Sequence, residues 1–168
     1  SEVNGIKKLI VKAIIDQVPE LKEQGVMLNF FGDVRSFGYE IKEKTESAED
    51  DTFQESPSLR LNVALGYGGR KDIVNTCKEL AIDYKAARIK TNDIDEDMIA
   101  ATSQVPDDNI DLIIRTGGDK RLSNFLLFQA AYAEFMFIDK LWPDFTKDDF
   151  IKCLNSFKKV RRRFGKRV

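Results

Sequence analysis

The stretch Asp111–Phe125, DLIIRTGGDKRLSNF, decides how the chain is read. Leu112, Ile113 and Ile114 form a short continuous apolar run, the pattern of a strand buried on both faces. The run stops at Arg115, Thr116 and the paired glycines Gly117 and Gly118. Lys120 and Arg121 follow, then Ser123 and Asn124. Glycines let backbone N–H groups approach an anion closely. Guanidiniums, N–H groups and a hydroxyl converging at a helix start make a phosphate or diphosphate cradle. The plainer alternative is an ordinary turn flanked by surface charges.

Working outward, strands alternate with helices. SEVNGIKKLIVKAIIDQVPELKEQG reads as a first helix, with Pro19 expected to kink or break it near Val18 and Gly25 suiting its end. VMLNFFGD is a strand, and Ser36 to about Ala48 is a helix. The acidic stretch ESAEDDTFQESPS reads as a solvated loop. LRLNVALGYGG is a second strand, and residues 70–87 form an amphipathic helix through Ile73, Val74, Cys77, Leu80 and Ala81. A shorter helix spans about 94–103, capped by Asn92 or Asp93. SNFLLFQAAYAEF predicts an apolar helix with Ser123 as N-cap, FMFID a fourth strand, and TKDDFIKCLNSFKKVRRR a last helix opened by a Thr146/Asp149 capping box. The alternation implies an α/β fold with a largely parallel central sheet flanked by helices, in one domain over residues 1–168.

Composition removes several classes of function. Net charge is −1, which does not suit an electrostatic nucleic-acid binder. Histidine is absent, so no Ser-His-Asp or Cys-His triad and no His-ligated zinc site can form. Cys77 and Cys153 lie far apart, which suits a reducing cytoplasm better than a disulfide framework. Neither a signal-peptide pattern nor an apolar run of about 18 residues occurs. No Walker A or GxGxxG pattern is present, which disfavours a nucleotide P-loop.

Glu134 is the single carboxylate in SNFLLFQAAYAEFMF. A carboxylate in so apolar a segment is costly unless paired or bound to a cation, so it is either a Mg²⁺ ligand or the partner of a neighbouring arginine. The last twelve residues, FKKVRRRFGKRV, hold seven cations. They read as a solvated helix end, a nucleic-acid or membrane contact, or a tail that reaches a phosphate site.

LNVALGYGGRKDIV, DLIIRTGGDKRLSNFLLFQAAYAEF, LWPDF and RRRFG, taken in order, resemble the cis-prenyltransferases, the undecaprenyl diphosphate synthase family. The resemblance runs from the first helix to the C-terminus. It implies condensation of isopentenyl diphosphate with an allylic diphosphate of farnesyl type to give a polyprenyl diphosphate, with Mg²⁺ as cofactor. It further implies a homodimer and an apolar tunnel for the growing chain; with the charge and cysteine readings above, the expectation is a cytoplasmic enzyme whose product partitions to the membrane, with no nucleic-acid partner. By position, Arg115, Arg121, Leu122 and Ser123 match the isopentenyl diphosphate site, and Glu134 matches the Mg²⁺-binding glutamate. Arg163 and Gly165 match an Arg-x-Gly that crosses the dimer interface toward the partner's diphosphate. Gly68-Gly69-Arg70 matches a structural turn, Lys120 stands where some members carry histidine, and Ile6, Leu9, Ile10 and Ala13 match tunnel-lining positions of the first helix.

One family segment has no counterpart in these 168 residues. It holds the Asp-Gly-Asn phosphate loop with the catalytic, metal-binding aspartate, and the Phe-Ser-x-Glu-Asn-x-x-Arg-Pro loop. About 80 residues, the size of a βαβ unit with a loop, would carry it. The sheet is therefore expected to be incomplete at its N-terminal side. The chain is expected to be inactive alone, with no catalytic residue of its own, and to belong to a longer protein or to pair with a second chain. The alternatives are a non-catalytic subunit of a heteromeric cis-prenyltransferase and, from another class, a nucleic-acid module built on the basic tail. A subunit that only lends its tail has no need of Arg115, Arg121, Ser123 and Glu134 together, and the tail lacks an aromatic stacking platform.

Overall fold

A computed structural model describes residues 2–107 and 109–161, with the side chains of residues 2–4 and 6–8 left outside the description. The chain divides into two compact units, Ser1–Gly68 and Gly69–Val168. All described strands pair in parallel, two in each unit, with a helix joining the first pair and turns joining the second, so the α/β expectation holds.

The first unit starts with α1, Glu2–Glu23, which runs on through Pro19 instead of breaking at Val18. Pro19 lies in the last turns, where its missing N–H frees one carbonyl, that of Ile15, on an exposed stretch. Gly25, at φ 72°, ends the helix and turns the chain into β1, Val26–Gly32. Ser58 fastens the entry to β2, Leu59–Leu65, because its backbone N–H donates to the Gly25 carbonyl at 2.8 Å. The ladder then runs in register from Val26 opposite Leu59 to Gly32 opposite Leu65. Gly32 is obligatory, since a Cβ there would stand 2.3 Å from the Leu65 carbonyl oxygen.

The helix between these strands, α2, spans Tyr39–Thr52, four residues beyond the expected end at Ala48. The first part of the acidic stretch, up to Thr52, is helical because of its other face, and residues 53–58 form the expected loop. Ile41, Thr45, Ala48 and Thr52 recur at helical spacing and are all buried. Thr52 is 1% exposed. Its Oγ1 accepts from the Leu28 backbone N–H at 3.0 Å and donates to the Ala48 carbonyl at 2.7 Å. Glu49 Oε1 accepts from the Phe30 N–H at 2.6 Å. Along a strand, alternate backbone groups point to opposite edges. Thr52 and Glu49 thus serve two donors of β1 on one edge, and the helix closes part of that edge with side chains.

In the second unit, α3 spans Gly69–Lys85 and α4 spans Glu96–Thr102. The cap of α4 is Asp95, whose Oδ1 accepts from the Met98 N–H at 2.8 Å, rather than Asn92 or Asp93. Asp93 instead closes a 3-10 turn, Thr91–Asp93. The buried Asp72 of α3 accepts from Ser103 Oγ at 2.8 Å and the Gln104 N–H at 3.1 Å, pinning the end of α4 to the start of α3. Strands β3, Leu112–Thr116, and β4, Glu134–Ile138, pair from Leu112 opposite Glu134 to Thr116 opposite Ile138. The last helix, α5, spans Lys147–Phe157 and carries the expected Thr146/Asp149 capping box. Hydrogen bonds from Lys140 and Thr146 hold the Asp149 carboxyl far below the usual carboxylate range. That contribution to folding is complete above the ordinary carboxylate pKa of about 3.9 and fades only as pH falls below it.

Thr52→Val keeps the shape of the side chain but leaves the Leu28 N–H without its acceptor. The substitution is expected to lower unfolding stability by about 1–3 kcal/mol in urea melts and to speed hydrogen exchange at Leu28. Unchanged exchange at Leu28 would contradict the edge-closing role of α2.

Candidate functional site

Between β3 and β4 the expected helix over residues 123–135 does not form; the segment is a series of turns that ends in β4 at Glu134. Ser123, Asn124 and Leu126 have φ of 50°, 64° and 48°. Left-handed backbone at three non-glycine residues is incompatible with a right-handed helix and costs on the order of 1 kcal/mol or more at each. Tertiary bonds hold it in place. The Asn124 carbonyl accepts from the Gly69 N–H at 2.7 Å, and its Oδ1 accepts from the Arg70 N–H at 2.9 Å. Asn124 thereby satisfies two of the donors that a helix N-terminus leaves free. Gly69 is required there, since a Cβ would come within 2.8 Å of Leu127 Cγ. Nothing local marks Asn124 for this role, because its side-chain partner Arg70 lies 54 residues away.

Arg115, the fourth residue of β3, is the centre of the loop that follows. Its NH1 donates to Ser123 Oγ at 2.6 Å and also to the Arg121 carbonyl, and its NH2 donates to Asp119 Oδ2 at 3.1 Å. Arg121 donates to the other oxygen of the same carboxylate. The structure thus brings together Arg115, Arg121 and Ser123 around Asp119. The Arg121 hydrogen bond, followed by the charges of both arginines, holds the Asp119 carboxyl below its ordinary value, and Asp119 raises Arg121 in return. The site favours an anion between two guanidiniums, and the chain's own carboxylate stands there.

The glycines act otherwise than expected. Gly117 and Gly118 take φ of 92° and 78°, and their N–H groups donate to the Lys140 carbonyl at 2.7 Å and the Ile138 carbonyl at 3.1 Å. These donors lock the turn to the end of β4 and are not free for a phosphate. Gly118 also avoids Asp139, whose Oδ1 would lie 2.8 Å from a Cβ. The glycine N–H groups therefore take no part in the cradle. Leu122 is half-buried and its carbonyl accepts from the Phe125 N–H at 3.1 Å, while Lys120 is exposed.

Glu134 opens β4 opposite Leu112, whereas Arg115 lies opposite Phe137. Three residues of strand separate them, about 10 Å at ~3.3 Å per residue, and the alternation of side chains puts them on opposite faces. The ladder does not bring Glu134 to the arginine cradle. Its half-buried carboxylate has no hydrogen bond or ion pair among the described residues, so the salt-bridge reading does not hold there. A lone carboxylate can supply Mg²⁺ with one hard oxygen ligand, the ion taking others from water and phosphate. No cluster of three acidic or thiol ligands occurs among the described residues.

On α1, Leu9 and Ala13 are exposed and Ile10 is half-buried; the side chain of Ile6, like Arg163 and Gly165, lies outside the description. The neighbouring Val11 and Ile15 face a cavity of about 440 Å³ shared with Phe37 and Tyr39 of the same unit. No described helix is long and apolar enough to cross a membrane.

Comparison with known proteins gives a consistent picture. The family model described as "Putative undecaprenyl diphosphate synthase" matches residues 1–165. The (2E,6E)-farnesyl-diphosphate specific ditrans,polycis-undecaprenyl-diphosphate synthase of Escherichia coli K12 is 40% identical over 168 residues, covering 98% of this chain and 65% of its own length. The enzyme of the same name from Yersinia pestis is 38% identical over 165 residues, with the same coverage. The chain spans about two-thirds of these relatives, 65% of their length. Among solved structures, lavandulyl diphosphate synthase from Lavandula x intermedia, in complex with dimethylallyl diphosphate, gives a TM-score of 0.93 at 29% identity, over 98% of this chain and 72% of its own. A probable undecaprenyl diphosphate synthase from Campylobacter jejuni gives 0.84 at 28% identity, over 98% of this chain and 75% of its own. With a family match across nearly every residue, the chain belongs to the undecaprenyl diphosphate synthase family of cis-prenyltransferases.

Proposed function

We propose that this chain carries the isopentenyl diphosphate half of a cis-prenyl chain-elongation site. The observation behind the reading is the carboxylate of Asp119 held between Arg115 and Arg121 beside Ser123. A carboxylate shares with a phosphate the charge and the paired oxygens that guanidiniums grip. An incoming diphosphate would take over the Arg115 and Arg121 donors, with the Ser123 hydroxyl adding a hydrogen bond, Leu122 contributing backbone and Asp119 turning away.

In the reaction, a new carbon–carbon bond forms between isopentenyl diphosphate and the allylic carbon as the allylic carbon–oxygen bond breaks. Diphosphate leaves with the bonding pair, and a proton is lost from the isopentenyl unit. No protein nucleophile is needed. The chain's part is to align one reactant and to offset its charge. Glu134 would hold Mg²⁺, which when bound offsets charge on the departing diphosphate. Arg163 and Gly165 would reach the diphosphate of a second copy in a homodimer. Ile6, Leu9, Ile10 and Ala13 would contact the growing apolar chain. Both compact units would serve one domain in the cytoplasm, releasing a product that enters the membrane. The Asp-Gly-Asn loop does not occur in these 168 residues, so on this reading they have no synthase activity by themselves.

In the complete enzyme, Arg121→Ala is expected to raise KM for isopentenyl diphosphate at least tenfold, while Lys71→Ala leaves it within about twofold. Equal, small effects from both would remove the assignment. Asp119→Ala takes away the internal competitor for the arginines. Calorimetric titration with inorganic diphosphate is expected to show binding roughly two- to fivefold tighter than wild type. Weaker binding would mean that Asp119 orients the arginines and does not compete with the ligand.

A further inference from the structure

The second unit holds a cavity of about 430 Å³ that none of the cradle residues lines. That volume lies in the range of small-molecule sites. Ile73, Cys77 and Leu80 of α3 form one wall, and Ile94, Ile99 and Phe128 form much of the rest. No lysine or arginine lines it, and Asp72 does, so it is a poor place for an anion.

Gln129 also lines this cavity and is 4% exposed. Its Nε2 donates to Ser103 Oγ at 3.0 Å, and its backbone carbonyl accepts from the Ile110 N–H at 3.1 Å. Its Oε1 is buried without any hydrogen-bond partner, the one such side-chain atom among the described residues. Ser103 cannot supply the missing donor. Its single hydroxyl proton goes to Asp72 Oδ2 at 2.8 Å, and its oxygen already accepts from Gln129 and from the Val105 N–H at 3.2 Å. The network therefore closes except for one acceptor, and buried acceptors are rarely left so.

We propose that this cavity binds a neutral, largely apolar molecule carrying one hydroxyl or amide N–H, donated to Gln129 Oε1. The apolar walls take up the body of the molecule, and a modest turn about the soft terminal torsion of Gln129 presents Oε1 to the donor. The site is separate from the diphosphate cradle, and the proposal does not rest on the reading of that cradle.

The probes are 1-octanol and its donor-free counterpart methyl octyl ether, titrated into the protein and followed by ¹⁵N–¹H NMR. Octanol is expected to bind saturably, to shift amides of α3, α4 and residues 128–129, and to bind about fivefold more tightly than the ether. Cys77 is free and exposed, so Cys77→Trp can fill the cavity from its rim with the fold retained; it is expected to abolish binding of both probes. Gln129→Leu is expected to bring the two probes within about twofold of each other. Absence of saturable octanol binding, equal affinity for the two probes in the wild type, or binding that survives Cys77→Trp would each overturn the proposal.

Discussion

The guanidinium of Arg115 organises the loop on which the site depends. A guanidinium presents its donors in a fixed plane and cannot be neutralised by losing a proton. At the end of β3 it must find acceptors, and the following eight residues curl round to provide them: the Asp119 carboxylate, the Arg121 carbonyl and the Ser123 hydroxyl. The consequences spread along the chain. Curling back to Arg115 leaves Ser123 and Asn124 in left-handed backbone, and Asn124 then docks on the first N–H groups of α3. Strain at these residues is offset by bonds on both sides. Strained backbone of this kind collects at functional sites, where the surroundings over-determine it.

Polar groups in apolar settings recur elsewhere, and each has a traceable reason. Thr52 and Glu49 lie on the helix face turned to β1 because two strand donors need acceptors there. Asp72 is buried because the end of α4 supplies it with a hydroxyl and an N–H. Gln129 departs from this pattern, with one amide atom satisfied and the other not. Glu134 is a different case, half-buried at the start of a strand with a carboxylate that no described residue pairs. Both unpaired groups lie in the unit that also holds the arginine cradle.

Much of the architecture was legible in the sequence because it rests on local rules. The apolar runs of Val26–Gly32, Leu59–Leu65 and Leu112–Thr116 are strands, and the Thr146/Asp149 pair caps α5. The errors share one cause. SNFLLFQAAYAEF has helical composition but bends to partners at Gly69, Arg70 and Arg115. The acidic stretch after Ala48 reads as loop by charge, yet Thr52 is held by a strand donor 24 residues away. Pro19 sits inside a helix, near its end and on a stretch exposed to solvent. In each case a long-range contact or solvent exposure outweighed a local preference of about 1 kcal/mol or a few.

By itself, the sequence determined the family, the α/β class, and the residue types at the cradle, since motifs and periodicity are properties of order along the chain. Tertiary structure alone decided how those residues work together. It put Asp119 between Arg115 and Arg121, and it spent the glycine N–H groups on β4. It also placed Glu134 at the far end and on the other face of the ladder, and left Gln129 one donor short. The physical reason is that hydrogen bonds are satisfied in space. Which donor meets which acceptor depends on chain segments tens of residues apart, and no local pattern encodes that pairing.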